Sequence, residues 1–204
     1  MWMEAGPLTE LPGVLAPRPE ELDGQVLGIL DSGTPGSARF LERLTARLEK
    51  RHYLSDIVRL AKPDHRQACP PALLEQLIAT CDVVVTGVGQ DSEGAPAAVA
   101  DAVSLERQSV PCAVLFVDDC RPAALAAVAG HGYRDGLSLI GLLGSPRDRS
   151  DAETDQLVEA CFRHVEQALC RDPSAPAAID PTAVPTPAST EGRPANKDGI
   201  TCEC

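Results

Sequence analysis

Residues 26–48 read VLGILDSGTPGSARFLERLTARL, and this stretch contains the pattern that decides the fold. The run from Val26 to Leu30 is short and apolar, which is typical of a buried strand. Residues 31–37 are rich in glycine, serine and proline and therefore predict a loop. One face of a helix follows, formed by Phe40, Leu41, Leu44 and Leu48. The stretch predicts a strand, a loop and a helix in that order.

The same pattern recurs along the chain. Apolar runs typical of strands lie at residues 57–60, 83–85, 113–117 and 137–143, and helical periodicity follows each of them. Strands that alternate with helices indicate βα units around a parallel sheet. We therefore predict a doubly wound α/β fold with a mostly parallel five-stranded sheet, in the flavodoxin-like strand order.

The two ends of the chain differ in composition from this repeating part. Residues 1–24 are rich in proline and acidic side chains, which predicts a disordered arm. Residues 171–195 are rich in proline and alanine and predict an extended linker. Residues 196–204 contain two cysteines and are expected to form a disordered tail. The α/β domain is thus predicted to span residues 25–170.

Composition and charge exclude several classes of partner. The chain has 204 residues, of which 44% are apolar and 24% charged, which is typical of a globular domain. Its formal net charge of -12 would repel nucleic acid and anionic membranes. The sequence has no apolar run long enough to span a membrane and no signal peptide, so we expect a cytoplasmic protein with reduced thiols. The sequence identifies no cofactor and leaves a homo-oligomer open.

Polar side chains are predicted at the carboxyl ends of the strands, where sheets of this kind bind ligands. They lie in loops 31–37, 87–95, 118–121 and 144–149, and the candidate ligand residues are Asp31, Ser32, Thr34, Asp118, Asp119 and Cys120. The carboxylates, together with Asp91 and Glu93, could hold Mg²⁺ or serve as acid and base, or they could be solvated loop acids.

Loop 31–37 opens a helix, so it could hold a phosphate at the helix N-terminus, or it could be a plain connection with Ser37 as the N-cap. Metal-ligand spacing is absent from the histidines, which are expected at the surface: His52, His65, His131 and His164.

Four segments carry a resemblance to a known family. They are VLGILDSGTPGSARFLERLTARLEKRH at 26–52, Lys62-Pro63, LIATCDVVVTGVGQ at 77–90 and DAVSLERQSVPCAVLF at 101–116. Together they resemble the UGSC family of selenocysteine and cysteine proteins, over about residues 25–120 and more weakly to residue 170. In that family the loop after the third strand carries selenocysteine or cysteine followed by Gly-Ser-Cys, which implies a redox or thiol-transfer role.

This chain departs from the family at the motif itself. Asp91 stands at the position of the nucleophile, Ser92 replaces the glycine, Glu93 the serine and Gly94 the second cysteine. Because no thiolate remains in this loop, the resemblance does not carry the family's activity to this chain. Whether the chain is an enzyme is left open.

The C-terminal residues Cys202, Glu203 and Cys204 contain two thiols and suggest a role in sulfur chemistry. Two thiols at this spacing on a tether can bind a soft metal, exchange a disulfide or be modified by a partner enzyme. We expect a non-catalytic carrier or recognition protein that presents this tail to protein partners, resembling the precursor of a modified peptide in natural product biosynthesis or a sulfur carrier.

Two alternatives remain open for the function. In the first, the tail is the mobile dithiol of a thiol-disulfide oxidoreductase that exchanges electrons with Cys120 or with a partner disulfide. In the second, the domain is a small-ligand or metal-binding α/β module that uses the acidic carboxyl edge.

Overall fold

A computed structural model describes residues 15–133 and 136–170. Its sheet contains five strands in the order β2-β1-β3-β4-β5, and every neighbouring pair is parallel. The strands are β1 (Val26–Asp31), β2 (Asp56–Ala61), β3 (Val83–Gly89), β4 (Cys112–Val117) and β5 (Ser138–Leu142). The predicted doubly wound fold and flavodoxin-like strand order are confirmed.

Helices connect the strands and cover both faces of the sheet. They are α1 (Ser37–Glu49), α2 (Pro71–Thr80), α3 (Gly94–Arg107), α4 (Arg121–Gly130) and α5 (Asp151–Leu169), with a short 3-10 turn at Asp118–Cys120 before α4. A capping box is present at the start of α5, where Ser150 and Glu153 bond to each other's backbone N–H groups. None of the helices in the described part of the chain is long and apolar enough to cross a membrane.

Two apolar cores lie on opposite faces of the sheet. One packs α1 and α5 against the sheet, with Phe40 and Phe162 fully buried within it. The other packs α2, α3 and α4 against the other face, with Phe116 and Tyr133 buried. Strand β3 is central and buried at every residue, and its first three residues are the apolar run 83–85 that predicts a buried strand. Strand β2 is at an edge and is only partly covered.

The described part of the predicted N-terminal arm, residues 15–24, packs onto the domain. Leu22 is fully buried in the core beside α1 and α5. Glu106, at the end of α3, accepts hydrogen bonds from the N–H of Ala16 at 2.8 Å and from Arg18 at 2.6 Å. The segment is too short to show a hydrophobic period, so the sequence does not reveal these contacts. The rest of the predicted arm, residues 1–14, lies outside the described residues.

Glu106 also marks the edge of the sheet at which α5 ends. Its carboxylate accepts from the N–H of Cys112, the first residue of β4, at 2.9 Å. Arg18, which pairs with Glu106, donates to the carbonyl oxygen of Ala168 at 3.4 Å. The chain therefore enters and leaves the described domain at the amino edge of the sheet. The loops predicted to bind ligands lie at the opposite edge.

Candidate functional site

Asp91 occupies the loop between β3 and α3, at the start of a helix. Its Oδ1 accepts from the N–H of Glu93 at 3.1 Å and from the N–H of Gly94 at 2.6 Å. These N–H groups have no partner within the helix, and the positive end of the helix dipole favours a negative charge beside them. The N–H of Gly94 is the main cause that lowers the pKa of Asp91. The carboxylate therefore caps its own helix as a stable anion.

His65 completes the contacts of Asp91. Its Nε2 lies 3.0 Å from Asp91 Oδ2 and contributes to the lowered pKa of that carboxyl. The predicted surface position of His65 is therefore only partly right, because the ring is half-buried between two loops. A second ion pair joins the same loops, since Arg66 Nε lies 3.1 Å from Glu93 Oε2. The remaining motif positions differ in exposure: Ser92 is exposed and Gly94 is buried.

A buried ion pair beneath these loops fixes the backbone around His65. Lys62 Nζ donates to Asp101 Oδ2 at 2.7 Å and to the carbonyl oxygen of Gln67 at 2.8 Å. Asp101 Oδ1 accepts from the N–H of Cys69 at 2.6 Å. Burial raises the pKa of Asp101, although the neighbouring ammonium opposes this shift. The pair thus ties the loop after β2 to α3 on both sides of His65.

Gln90 closes the crevice at which the strand order reverses. Its Nε2 donates to Thr34 Oγ1 at 2.6 Å and to the carbonyl oxygen of Pro35 at 2.9 Å. Its Oε1 accepts from Ser145 Oγ at 2.5 Å. One side chain thereby joins the loops after β1, β3 and β5. In a doubly wound sheet this crevice is the usual place for a ligand, and here Gln90 fills it with protein contacts.

The loop after β1 carries its own anion. Asp31 Oδ1 accepts from the N–H of Gly33 at 2.8 Å and from Ser37 Oγ at 2.5 Å. The prediction that Ser37 is the N-cap is wrong, because α1 begins at Ser37 and Gly36 is the cap, with φ 80. The Ser37 hydroxyl bonds back to the loop instead of to the helix. A carboxylate at this place disfavours the binding of a phosphate, because the two negative charges would repel.

The acidic side chains of the carboxyl edge do not converge on one point. Asp118 pairs with Arg121 at 2.5 Å, and Asp119 is exposed. Asp31, Asp91 and Glu93 are engaged as described above. Across residues 15–133 and 136–170, the side chains of histidine, cysteine and acidic residues form no group of three that could hold a metal ion. Ser32 is nearly fully buried with an unpartnered hydroxyl, so it does not face this edge as an open ligand.

Five of the six described cysteines have thiols with a raised pKa. Burial raises the pKa of Cys69 to about 11 and that of Cys161 to about 12. The pKa values of Cys81 and Cys112 are raised for the same main reason. Cys120 is half-exposed, but desolvation together with the charges of Asp91 and Asp119 raises its pKa too. Since nucleophilic cysteines have lowered pKa values, none of these five thiols resembles one.

The sequence does not indicate the role of several residues near this edge. Gln90 and Ser145 belong to loops that are predicted to bind ligands, but a neutral amide and a hydroxyl give no signal there. Asp101 does give one, because it is an acidic residue among the apolar positions of α3. Such a residue is expected to have a buried partner. The tail residues Cys202, Glu203 and Cys204 lie outside the described residues, so their predicted role stays a prediction.

One comparison with known protein families gives a match that covers most of the chain. The model of the UGSC family matches residues 7–171. No match is found among curated proteins.

Solved structures with a similar arrangement include the flavodoxin-like domain of a Synechococcus protein, with 19% identity, a TM-score of 0.37, and coverage of 70% of this chain and 96% of that chain. An FMN-dependent cysteine decarboxylase, SpaF, has 14% identity and a TM-score of 0.38, with coverage of 69% and 98%. At these values neither similarity carries a functional argument.

Proposed function

We propose that this chain, which belongs to the UGSC family, is a carrier protein whose C-terminal Cys202-Glu203-Cys204 is presented to partner enzymes. In this proposal the folded domain is recognised by the partner and residues 171–195 serve as the linker. The two tail thiols are the groups that the partner modifies or loads with sulfur. The chain would act in the cytoplasm, where thiols stay reduced.

One observation carries the proposal. Within the described domain, the five cysteine thiols with a shifted pKa are all shifted upward. At the family's nucleophile position, Asp91 is held by the N–H groups of its own loop. These five thiols are not activated and Asp91 is not a thiol, which supports the tail cysteines as candidates for sulfur chemistry.

The location at which the domain ends also supports the proposal. Ala168 lies in the last turn of α5, beside Arg18 and the amino end of β4. The strands are about 20 Å long, so the loop of Asp91 is about that far away at the opposite edge of the sheet. A partner could therefore reach the tail without approaching the carboxyl-edge loops.

The test is to express the chain together with the genes that neighbour its own and to measure its mass. Trypsin releases residues 198–204 as one peptide, which contains both tail cysteines and no other cysteine. We expect a change of mass that maps to this peptide. It should persist in Cys120→Ser, the matched control, and disappear in the double variant Cys202→Ser, Cys204→Ser.

Two results would contradict the carrier proposal. The first is an unmodified peptide 198–204 although all neighbouring gene products are present. The second is a modification that maps to a cysteine of the domain. Circular dichroism of both variants should match that of the unchanged protein, because Cys120 is only half-buried and the proposal assigns the tail no part in the fold of the domain.

A further inference from the structure

Ser32 follows β1 at the carboxyl edge, and its side chain is closed off from solvent. The residue is 1% exposed, and its Oγ has no hydrogen-bond partner among residues 15–133 and 136–170. A buried hydroxyl without a partner is costly, and such groups are usually satisfied by protein or by an ordered water. The Ser32 hydroxyl therefore needs a partner that the described residues do not supply.

The ammonium group of Lys62 also has a donor to spare. Its Nζ carries three protons, and the described residues accept two of them, at Asp101 Oδ2 and at the carbonyl oxygen of Gln67. The Lys62 side chain is 0% exposed, so bulk solvent does not reach the third proton. This proton therefore needs an acceptor inside the domain.

The pairing of β1 with β2 places Ser32 beside Lys62. Asp31 is paired with Ala61, and the ladder continues because the N–H of Lys62 donates to the carbonyl oxygen of Asp31 at 2.8 Å. The side chains of Ser32 and Lys62 therefore start on neighbouring strands, about 5 Å apart. Alternation along β1 puts Ser32 on the face of Leu30, which packs in the core beneath α2 and α3.

We propose that the Ser32 hydroxyl and the Lys62 ammonium together bind one water molecule inside the domain, beneath the loop after β1. The water accepts the third proton of Lys62 Nζ and forms a hydrogen bond with Ser32 Oγ. A buried water needs at least two polar partners, and these two groups supply them. The water joins the loop after β1 to the ion pair of Lys62 and Asp101, which ties the loop after β2 to α3.

Charge and size favour water over other ligands. Asp101 lies 2.7 Å from the Lys62 ammonium and balances its charge, so a further buried ion would be uncompensated. The free groups are one N–H donor and one hydroxyl, and water can accept from the first and bond to the second in either direction. Both side chains are closed to solvent, which favours the smallest ligand.

Thr86 in β3 provides the matched control. Its Oγ1 is also buried and has no hydrogen-bond partner in the described part of the chain. Its neighbours across the sheet are Leu30 and Val114, which are apolar and offer no second partner for a water. Removal of this hydroxyl should therefore have a different effect from removal of the Ser32 hydroxyl.

A high-resolution crystal structure of the full chain tests the site directly. We expect density for one water within about 3.2 Å of both Ser32 Oγ and Lys62 Nζ.

Thermal unfolding of two variants tests the site in solution. Ser32→Ala removes one of the two partners of the water, so the unfolding midpoint should fall by about 2–4 °C. Thr86→Val removes an unpaired polar group and nearly keeps the shape of the side chain, so the midpoint should stay unchanged or rise. Circular dichroism before heating shows whether both variants are folded.

Three results would overturn the inference. The first is a map without density between Ser32 Oγ and Lys62 Nζ. The second is an ion at that place, identified by its anomalous scattering, because the site is argued to take a neutral ligand. The third is a midpoint of Ser32→Ala that falls no further than that of Thr86→Val, because the cost would then not depend on the neighbouring ammonium.

Discussion

Lys62 and Asp101 show how a single pair of residues organises the candidate site. Their side chains are 0% and 1% exposed, so both charges are removed from water. Burial of this kind is costly unless each group is paired and hydrogen-bonded, as it is here through Gln67 and Cys69. The pair holds the loop that positions His65 against Asp91.

We expect Lys62→Met to destabilise the domain by about 3–5 kcal/mol, because the carboxylate of Asp101 would lose its buried partner. The double variant Lys62→Met, Asp101→Leu should recover much of this loss, since it removes both charges. Urea unfolding at neutral pH measures both effects. Equal stability of the single variant and the unchanged protein would show that the pair does not hold the loop.

Asp91 is a second single residue whose contribution to stability can be measured. Its replacement in Asp91→Ala removes the side chain that accepts from Glu93 and Gly94, and the loss of such a cap costs about 1 kcal/mol. Glu93→Ala, which removes an exposed ion pair with Arg66, should cost less. Urea unfolding of the two variants compares the costs. Equal costs would mean that the cap contributes nothing.

The cost of Asp91→Ala should depend on pH in a defined direction. The pKa of Asp91 is lowered in the folded domain. A lowered pKa adds stability that is fully present above the unfolded value of about 3.9 and is lost as the pH falls through the folded value. The difference between the unchanged protein and Asp91→Ala should therefore shrink only in this acid range. A difference that stays constant at all pH values would contradict the assigned contacts.

At the scale of elements, the loops after β1 and β5 pack directly on each other. Gly36 has φ +80, and a Cβ atom there would overlap the carbonyl group of Pro146. Gly132 has a similar φ of +81 but no atom within 4 Å of such a Cβ. A comparison of substitutions at these two glycines therefore distinguishes the cost of backbone strain from the cost of steric overlap.

We expect Gly132→Ala to cost about 1–2 kcal/mol, which is the strain of a left-handed residue. Gly36→Ala should cost about 2–5 kcal/mol, because overlap with the loop after β5 adds to that strain. Thermal unfolding of both variants gives the comparison. If Gly36→Ala were no worse than Gly132→Ala, the two loops would not be in close contact.

The elements themselves could be predicted from the sequence because their signal is periodic. Strand β3 starts with three consecutive valines, and α5 combines a capping box with an apolar face. The contacts between loops could not be predicted in this way. Gln90 joins three loops through atoms that any glutamine carries, and its partners are distant in sequence.

The N-cap residue of α1 could not be predicted from the sequence either. The pattern of serine before an apolar helix predicts Ser37 as the N-cap, whereas the structure places the helix start one residue earlier. A left-handed glycine and a side-chain bond from Ser37 to Asp31 decide the outcome. Both depend on how the loop packs and not on the local composition.

At the scale of the whole molecule, the domain has two edges with different roles. At the carboxyl edge, hydrogen bonds of the Gln90, Asp91 and Lys62 side chains hold the loops in place. At the amino edge, Glu106 and Arg18 join the segment before β1 to the end of α5. The described chain therefore ends at the edge of the sheet opposite the loop of Asp91.

The proposed carrier function requires the reactive sulfur of this protein to lie at Cys202 and Cys204. The most direct test is to alkylate the native protein at neutral pH and to follow each cysteine by peptide mass. A thiol whose pKa rises from 9.0 to about 11, as for Cys69, has about a hundredfold less thiolate. We predict rapid labelling of residues 198–204 and slow labelling of Cys69, Cys81, Cys112, Cys120 and Cys161 until the domain unfolds. Labelling of Cys120 as fast as the tail, or protection of Cys202 and Cys204, would contradict this account.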